Sequence, residues 1–184
     1  MTKLIPRLSQ ENLHPELEAF LRPRIERLGY LGEFFQCTAH QPEALLSFLE
    51  FTNHLKHALP NNLTEVVSLS VAQLMDNSYE RVQHERLSLK LGFGETWVRE
   101  VLSLSADGKG ILSEQEALVQ RLVVAVINRK GHGTTRELEA VIQSIGPPMT
   151  IAILMLIGRY MSHAMIVNSL DLDAPVPSPL ETKP

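Results

Sequence analysis

One cysteine in 184 residues excludes an internal disulfide framework and any dithiol redox cycle run within a single subunit. Aromatic residues are sparse, at 5% of the chain, and alternating β-branched runs are scarce, so little in the sequence favours a sheet. A basic footprint is also missing: the formal charge is −4, and the lysines and arginines are scattered rather than gathered on a stripe. Nucleic acid is therefore not an expected partner. Met1 to Gln10 lacks an apolar run flanked by basic residues and a small-residue cleavage site, so no secretory signal is expected and a cytoplasmic location follows.

What the chain does have is apolar residues recurring at three and four over most of its length, with 44% hydrophobic and 21% charged residues. This pattern predicts an all-α fold with one packed core. Punctuation at Pro15, Gly29, Gln41-Pro42, Pro60-Asn61-Asn62, Asp76-Asn77, Gly92-Phe93-Gly94, Asp107 to Gly110, Gly131 to Gly133 and Gly146-Pro147-Pro148 divides it into about eight or nine helices. The length suits one domain, over residues 1–170. The segment 171–184 carries prolines at 175, 177, 179 and 184 and is expected to be an extended or mobile tail.

The stretch Met149 to Val167 is apolar enough to raise a membrane span, but Arg159 and His163 interrupt it. A charge near the middle of a span costs at least roughly 2.5 kcal/mol. The expectation is a helix buried inside the domain or across a subunit interface, with no membrane partner. A helix apolar on nearly every face also predicts a homo-oligomer, dimer-based, as the way to cover the excess.

Two short motifs resemble ion sites and fail chemically. Ser105 to Glu116 has the spacing of a calcium loop, with Asp107, Gly110 and Glu116 at fitting positions. Ser105 replaces the first carboxylate, however, and Lys109 puts a cation where an oxygen is needed. Gly108 and Gly110 fit a turn, and Ser113 with Glu116 fits a capping box for the next helix. Cys37 and His40 are two donors, too few for a metal site. Cys37 itself is expected to be a small buried side chain. No metal and no cofactor are predicted.

The most informative run is Leu63 to Gly92, two helical segments broken at Asp76-Asn77, either of which can cap the second helix. Glu80 and His84 stand at i and i+4 on one face. Glu65 lies about eleven residues before the break and His84 about eight after it, roughly 16 and 12 Å of helix. A fold-back at the break brings the two side chains level, whereas a continuous helix would hold them roughly 28 Å apart. A histidine oriented by a carboxylate moves protons near neutral pH. The plainer alternative makes Glu80 the partner of Asn77 in a capping box and Glu65 an acidic residue near a helix start.

Glu65, Asn77, Glu80 and His84 also fall on the spacing E-x11-C-x2-C-x3-H, with both cysteine positions replaced. In this, and in Val71-Ala72-Gln73-Leu74, Tyr79 to His84, Leu91-Gly92, His40-Gln41-Pro42-Glu43 and Gly158-Arg159-Tyr160, the chain resembles the alkylhydroperoxidase D-like branch of the carboxymuconolactone decarboxylase family, as a cysteine-free member, from about Leu31 to Pro175. The resemblance implies an all-helical, cofactor-free, oligomeric fold with its pocket near Glu65 and His84. Peroxide reduction by the family's thiol route is unavailable to Asn77 and Glu80.

The leading expectation is a carboxymuconolactone decarboxylase-like lyase moving a proton, with or without loss of carbon dioxide, on a small carboxylated or lactone substrate. His84 is the expected general acid/base, Glu65 its orienting carboxylate and Glu80 a second carboxylate. Arg81, Arg86 and Arg159 are unranked candidates for holding an anion. The alternative is a non-catalytic helical oligomer or small-ligand-binding protein on the same scaffold.

Overall fold

The computed structural model describes residues 4–105 and 110–181, and it is all-helical. Eight α-helices occur among the described residues: α1 Pro15–Leu28, α2 Glu33–Thr38, α3 Pro42–Ala58, α4 Asn61–Leu74, α5 Ser78–Lys90, α6 Glu95–Ser103, α7 Glu114–Asn128 and α8 Thr135–Ser169. Sequence punctuation and helix ends coincide for physical reasons. Pro15 and Pro42 open α1 and α3 at the first turn, where a missing N–H costs nothing. Gly29 closes α1 in the left-handed conformation, φ 80°, as expected of a residue without a Cβ.

The break between α4 and α5 is a Schellman-type closure with an unusual residue in its left-handed position. Asp76 has φ 51°, Asn77 N donates to Ala72 O at 2.8 Å and Asp76 N donates to Gln73 O at 3.4 Å. Aspartate tolerates this conformation better than most residues with a side chain. Asn77 Oδ1 then accepts from Glu80 N at 3.1 Å and caps α5. The chain reverses within three residues, which sets α5 back alongside α4.

Helix α4 is the axis of the molecule. Every residue from Leu63 to Ala72 is buried, and the helix packs on α5, α6, α7 and α8. Its polar side chains are satisfied internally, as burial demands: Ser68 Oγ donates to Thr64 O at 2.7 Å, and Ser70 Oγ accepts from Gln120 Nε2 at 3.2 Å. A main core of α4, α6, α7 and α8 residues surrounds it. A second cluster joins Leu17 and Leu21 of α1, Phe34 and Cys37 of α2, and Leu45 and Leu49 of α3 to Tyr79 and Val167.

Helix α8 is bent. Gly146, at φ 79° and ψ 164°, interrupts it just before Pro147 and Pro148, where prolines would in any case break the backbone ladder. By length and composition it is the one helix among the described residues that could cross a membrane. It packs instead on α3, α4 and α7, with Arg159 and His163 buried among its apolar residues.

The calcium-like spacing falls partly outside the described residues, at 106–109. Its last carboxylate is committed elsewhere: Glu116 Oε2 accepts from Ser113 N at 2.7 Å, closing a capping box, and Oε1 accepts from Asn62 Nδ2 at 3.0 Å. The tail beyond α8 has no helix through residue 181 but lies against the domain. Leu172 is buried, Ser178 Oγ donates to the buried Glu85 carboxylate at 2.5 Å, and Leu180 O accepts from Arg99 at 2.9 Å.

Candidate active site

The fold-back at Asp76 does to Glu65 and His84 what helix geometry requires. Glu65, on the second turn of α4, and His84, on the second turn of α5, are both nearly fully buried, and His84 Nδ1 bonds Glu65 Oε2 at 2.7 Å. Ser88 Oγ, one turn further along α5, donates to the same oxygen at 3.2 Å. On the other side of the ring, His84 Nε2 meets Tyr160 OH at 3.0 Å. The Glu65 bond therefore fixes the ring from one edge and Tyr160 from the other.

Glu80 does not close a capping box with its side chain. It turns inward, where Oε1 accepts from Arg159 at 3.0 Å and lies 3.6 Å from His84 Nε2, while Oε2 lies 3.5 Å from His163 Nε2. Arg159 donates a further bond through Nε to Thr52 Oγ1 at 2.9 Å and lies over the rings of Tyr160 and Phe48, 4.3 and 4.8 Å from their centroids. Asn77 Nδ2 bonds His163 Nδ1 at 3.3 Å, and Phe34 packs 4.0 Å from the His163 ring.

These arrangements push neighbouring groups in opposite directions. Burial opposes a charge on His84, but the Glu65 carboxylate, the Tyr160 phenol oxygen and the hydrogen bonds to Glu65 and Glu80 more than offset it and raise the pKa to about 10. Burial also opposes ionising Glu80, yet His163, the His84 bond and Arg159 together hold its carboxyl well below the usual range. His163 goes the other way: burial dominates, with Arg159 adding to it, and its pKa falls to about 4. At neutral pH the site thus holds an imidazolium at His84, a carboxylate at Glu80 and a neutral ring at His163.

Glu80, His84, Arg159 and His163 form the floor of a pocket of about 610 Å³ whose opposite wall comes from α1 and α2, including Arg24, Ile25, Leu31 and Phe35. The volume is that of a small-molecule site. Solvent-exposed residues such as Asn53 and Arg86 stand at its margin. All three sequence-predicted residues, Glu65, Glu80 and His84, thus meet in one cluster. Among the three candidate cations, Arg159 is in the cluster, Arg86 is at the margin, and Arg81 pairs with Glu85 at 3.4 Å. Sequence reasoning missed Tyr160, His163, Thr52 and Arg24. A signal existed for the first two, since Arg159, Tyr160 and His163 share one turn of an otherwise apolar helix.

Cys37 is buried in the α1–α2–α3 cluster, and His40 Nε2 bonds Pro6 O at 2.9 Å. Among the described residues no group of three metal-ligating side chains comes together. A buried thiol in apolar surroundings is inert. Reduction of cumene hydroperoxide by the purified protein is therefore expected to match that of its Cys37→Ser variant, and turnover lost on that substitution would contradict this.

No protein-family model and no curated protein matches the sequence, whereas solved structures do match the fold. A peroxidase-related protein from Ralstonia eutropha with an alkylhydroperoxidase AhpD core superimposes with a TM-score of 0.78 at 13% identity, over 92% of this chain and 90% of that one. A protein of unknown function from Agrobacterium tumefaciens, a candidate AhpD-type antioxidant-defence protein, gives 0.69 at 18% identity, over 76% and 96% of the two chains. The debrominase Bmp8, as a cysteine-to-alanine variant in complex with 2,3,4-tribromopyrrole, gives 0.79 at 14% identity, over 96% and 94%. These likenesses carry the resemblance read from the sequence to the level of structure: the chain has the alkylhydroperoxidase D-like helical fold.

Proposed function

We propose that the pocket carries out proton transfer on a small carboxylated or lactone substrate, coupled to loss of carbon dioxide where the substrate bears a labile carboxyl. The observation that carries this reading is the buried 2.7 Å Glu65–His84 bond at the wall of a pocket open to solvent. Two adjacent groups whose pKa values are driven apart have acid and base roles written into their surroundings. His84, kept protonated, is the proton donor. Glu80, kept ionised 3.6 Å from His84 Nε2, lines the cavity beside that donor. Glu65 orients the ring and stabilises its charged form.

Loss of carbon dioxide from an activated carboxylate leaves a carbanion or enolate that must gain one proton at carbon. The His84 imidazolium supplies that proton, and solvent restores it. In the absence of a leaving carboxyl, the same groups exchange an acidic C–H with water. The test is a panel of carboxylated γ-lactones and 3-oxo acids incubated with the protein in D₂O and followed by NMR. Enzyme-dependent deuterium incorporation or carbon dioxide release is expected; a panel unchanged over the buffer rate would leave a non-catalytic binding protein as the better account.

Self-association belongs to the same proposal. On α8, Ile151, Met155 and Met165 are exposed at 55%, 45% and 61%, and the exposed Gly158 and Ser162 lie between them. The spacing 151, 155, 158, 162, 165 follows a heptad seam, with small residues at its centre where two backbones can approach. A symmetric dimer through this seam is the expected species. Light scattering at micromolar concentration should give at least twice the 20.6 kDa chain mass, and Met155→Glu should lower it; a wild-type monomer would refute the seam.

A further inference from the structure

The charges at the pocket floor cancel in pairs, and Arg24 stands beside them. Glu65 faces His84, and Glu80 faces Arg159. Arg24 reaches the same cavity from α1, and its guanidinium lies 5.2 Å from the centroid of the Phe35 ring. Among the described residues no carboxylate comes within ion-pair distance of it. Glu18, one and a half turns back on α1, is taken by Arg22, and Glu33 pairs with Arg7 at 3.6 Å. Burial acts against the charge on Arg24, and repulsion from Arg159 adds to this; attraction to Glu80 offsets only part of it, and the pKa is lowered. A guanidinium does not give up its proton to relieve such a cost, whereas an anion bound in the cavity would relieve it.

The remaining charged lining points the same way. Arg27, Lys56, Arg86 and Lys90 border the cavity, and Glu80, already engaged by Arg159, is its one acidic lining residue. This excess of positive charge sits in a chain whose formal charge is −4, so it is local to the pocket rather than a property of the surface. Beside Arg24 the wall is apolar, formed by Ile25, Leu28, Leu31 and Phe35. Guanidinium groups bind carboxylates in a planar, two-pronged fashion, and the neighbouring wall suits a flat hydrocarbon body.

We infer that Arg24 is the anion-binding residue of this pocket, taking the carboxylate of a planar aromatic or unsaturated acid whose body lies against the α1–α2 wall and whose far end reaches Glu80 and His84. This inference rests on reading the cavity as the substrate pocket, and its test measures binding rather than turnover. Benzoate and its neutral counterpart benzamide are titrated into the wild-type protein, Arg24→Gln and Arg24→Lys, by calorimetry with ligand-observed NMR. Benzoate should bind the wild type more tightly than benzamide. Arg24→Gln should weaken benzoate by roughly 10- to 100-fold, the range for a charge-assisted hydrogen bond, and leave benzamide unchanged, with Arg24→Lys between. Arg24 is only half-buried, so the variants should fold, and Arg24→Lys, which keeps the charge but not the two-pronged geometry, carries the test if Arg24→Gln does not fold. Benzoate that fails to saturate the wild type, binds no better than benzamide, or is indifferent to both substitutions overturns the assignment. Binding through Arg24 without C–H exchange would sink the acid/base reading and spare this one; exchange indifferent to Arg24 would do the reverse.

Discussion

Replacing His84 by alanine should lower the rate of C–H exchange or decarboxylation by about 10²- to 10⁴-fold, the usual worth of one positioned acid/base group. The effect is large because no other side chain duplicates the position. His163, the other ring in the cluster, is neutral at working pH and is held by Asn77. His84→Ala also strands the buried Glu65, so His84→Gln, which can still donate to that carboxylate, separates lost chemistry from lost stability. Glu65→Gln should cost less, since an amide oxygen can still accept from Nδ1. It should nevertheless shift the pH profile: a proton donor fails as pH rises through its pKa, and without the Glu65 charge that limit moves down from about 10. Glu80→Gln should slow turnover and leave the helix cap intact, because Asn77 provides the cap. Full activity in both His84 variants, with the fold intact, would remove the proton-transfer reading.

The Glu65–His84 pair was legible because the information is local. A left-handed residue at Asp76 and a capping asparagine at 77 are short-range signals, and helix rise converts them into a distance between two side chains. The capping box at Ser113 and Glu116 was legible for the same reason. The inward turn of Glu80 is expected only in the leading reading, and local spacing leaves it level with the helix-cap alternative. Its sequence neighbours offer a cap and an i,i+4 pair with equal ease, and what decides is Arg159, 79 positions later in the chain. Conversely, His163 reads in sequence only as an interruption of an apolar helix, and Arg159 as one of three unranked cations. Their burial becomes tolerable once Glu80, Thr52 and Asn77 arrive from α3, α5 and the turn before α5.

Arg24 illustrates the opposite difficulty. In α1 it lies among Arg22, Glu26 and Arg27, a run that reads as a solvated helix face. Only the packing of α1 on α3 turns it toward the cavity. The proline-rich tail likewise carries no periodicity to announce that Ser178 will meet Glu85 or that Pro179 will border the pocket. Where the resemblance expects a redox cysteine, Glu80 supplies an acidic oxygen. The proposed chemistry is accordingly one of protons rather than electrons.

Stability is expected to peak near pH 6.5 and fall on both sides, driven by two histidines shifted in opposite senses. His84 has its pKa raised from 6.5 to about 10 by folding. Its contribution is complete below about 6.5, where the unfolded chain is protonated too, and drains as pH rises toward 10, because only the folded state keeps the proton. His163 has its pKa lowered from 6.5 to about 4. Its contribution is complete above about 6.5 and drains as pH falls toward 4, because the unfolded chain gains a proton that the buried ring refuses. Glu80, lowered from 4.5, adds to the acid limb only below that value. Each limb amounts to a few kcal/mol, on the order of 1.4 kcal/mol per unit of displacement before relaxation of the site is allowed for. Urea midpoints at about pH 5, 6.5 and 9 would trace the curve, with the slope monitored to confirm two-state unfolding. His84→Gln should flatten the alkaline limb and spare the acid one, and His163→Gln should do the converse. A wild-type midpoint that stays level from about pH 6.5 to 9 would mean that His84 is neutral in the folded protein, and the proton donor would have to be sought elsewhere.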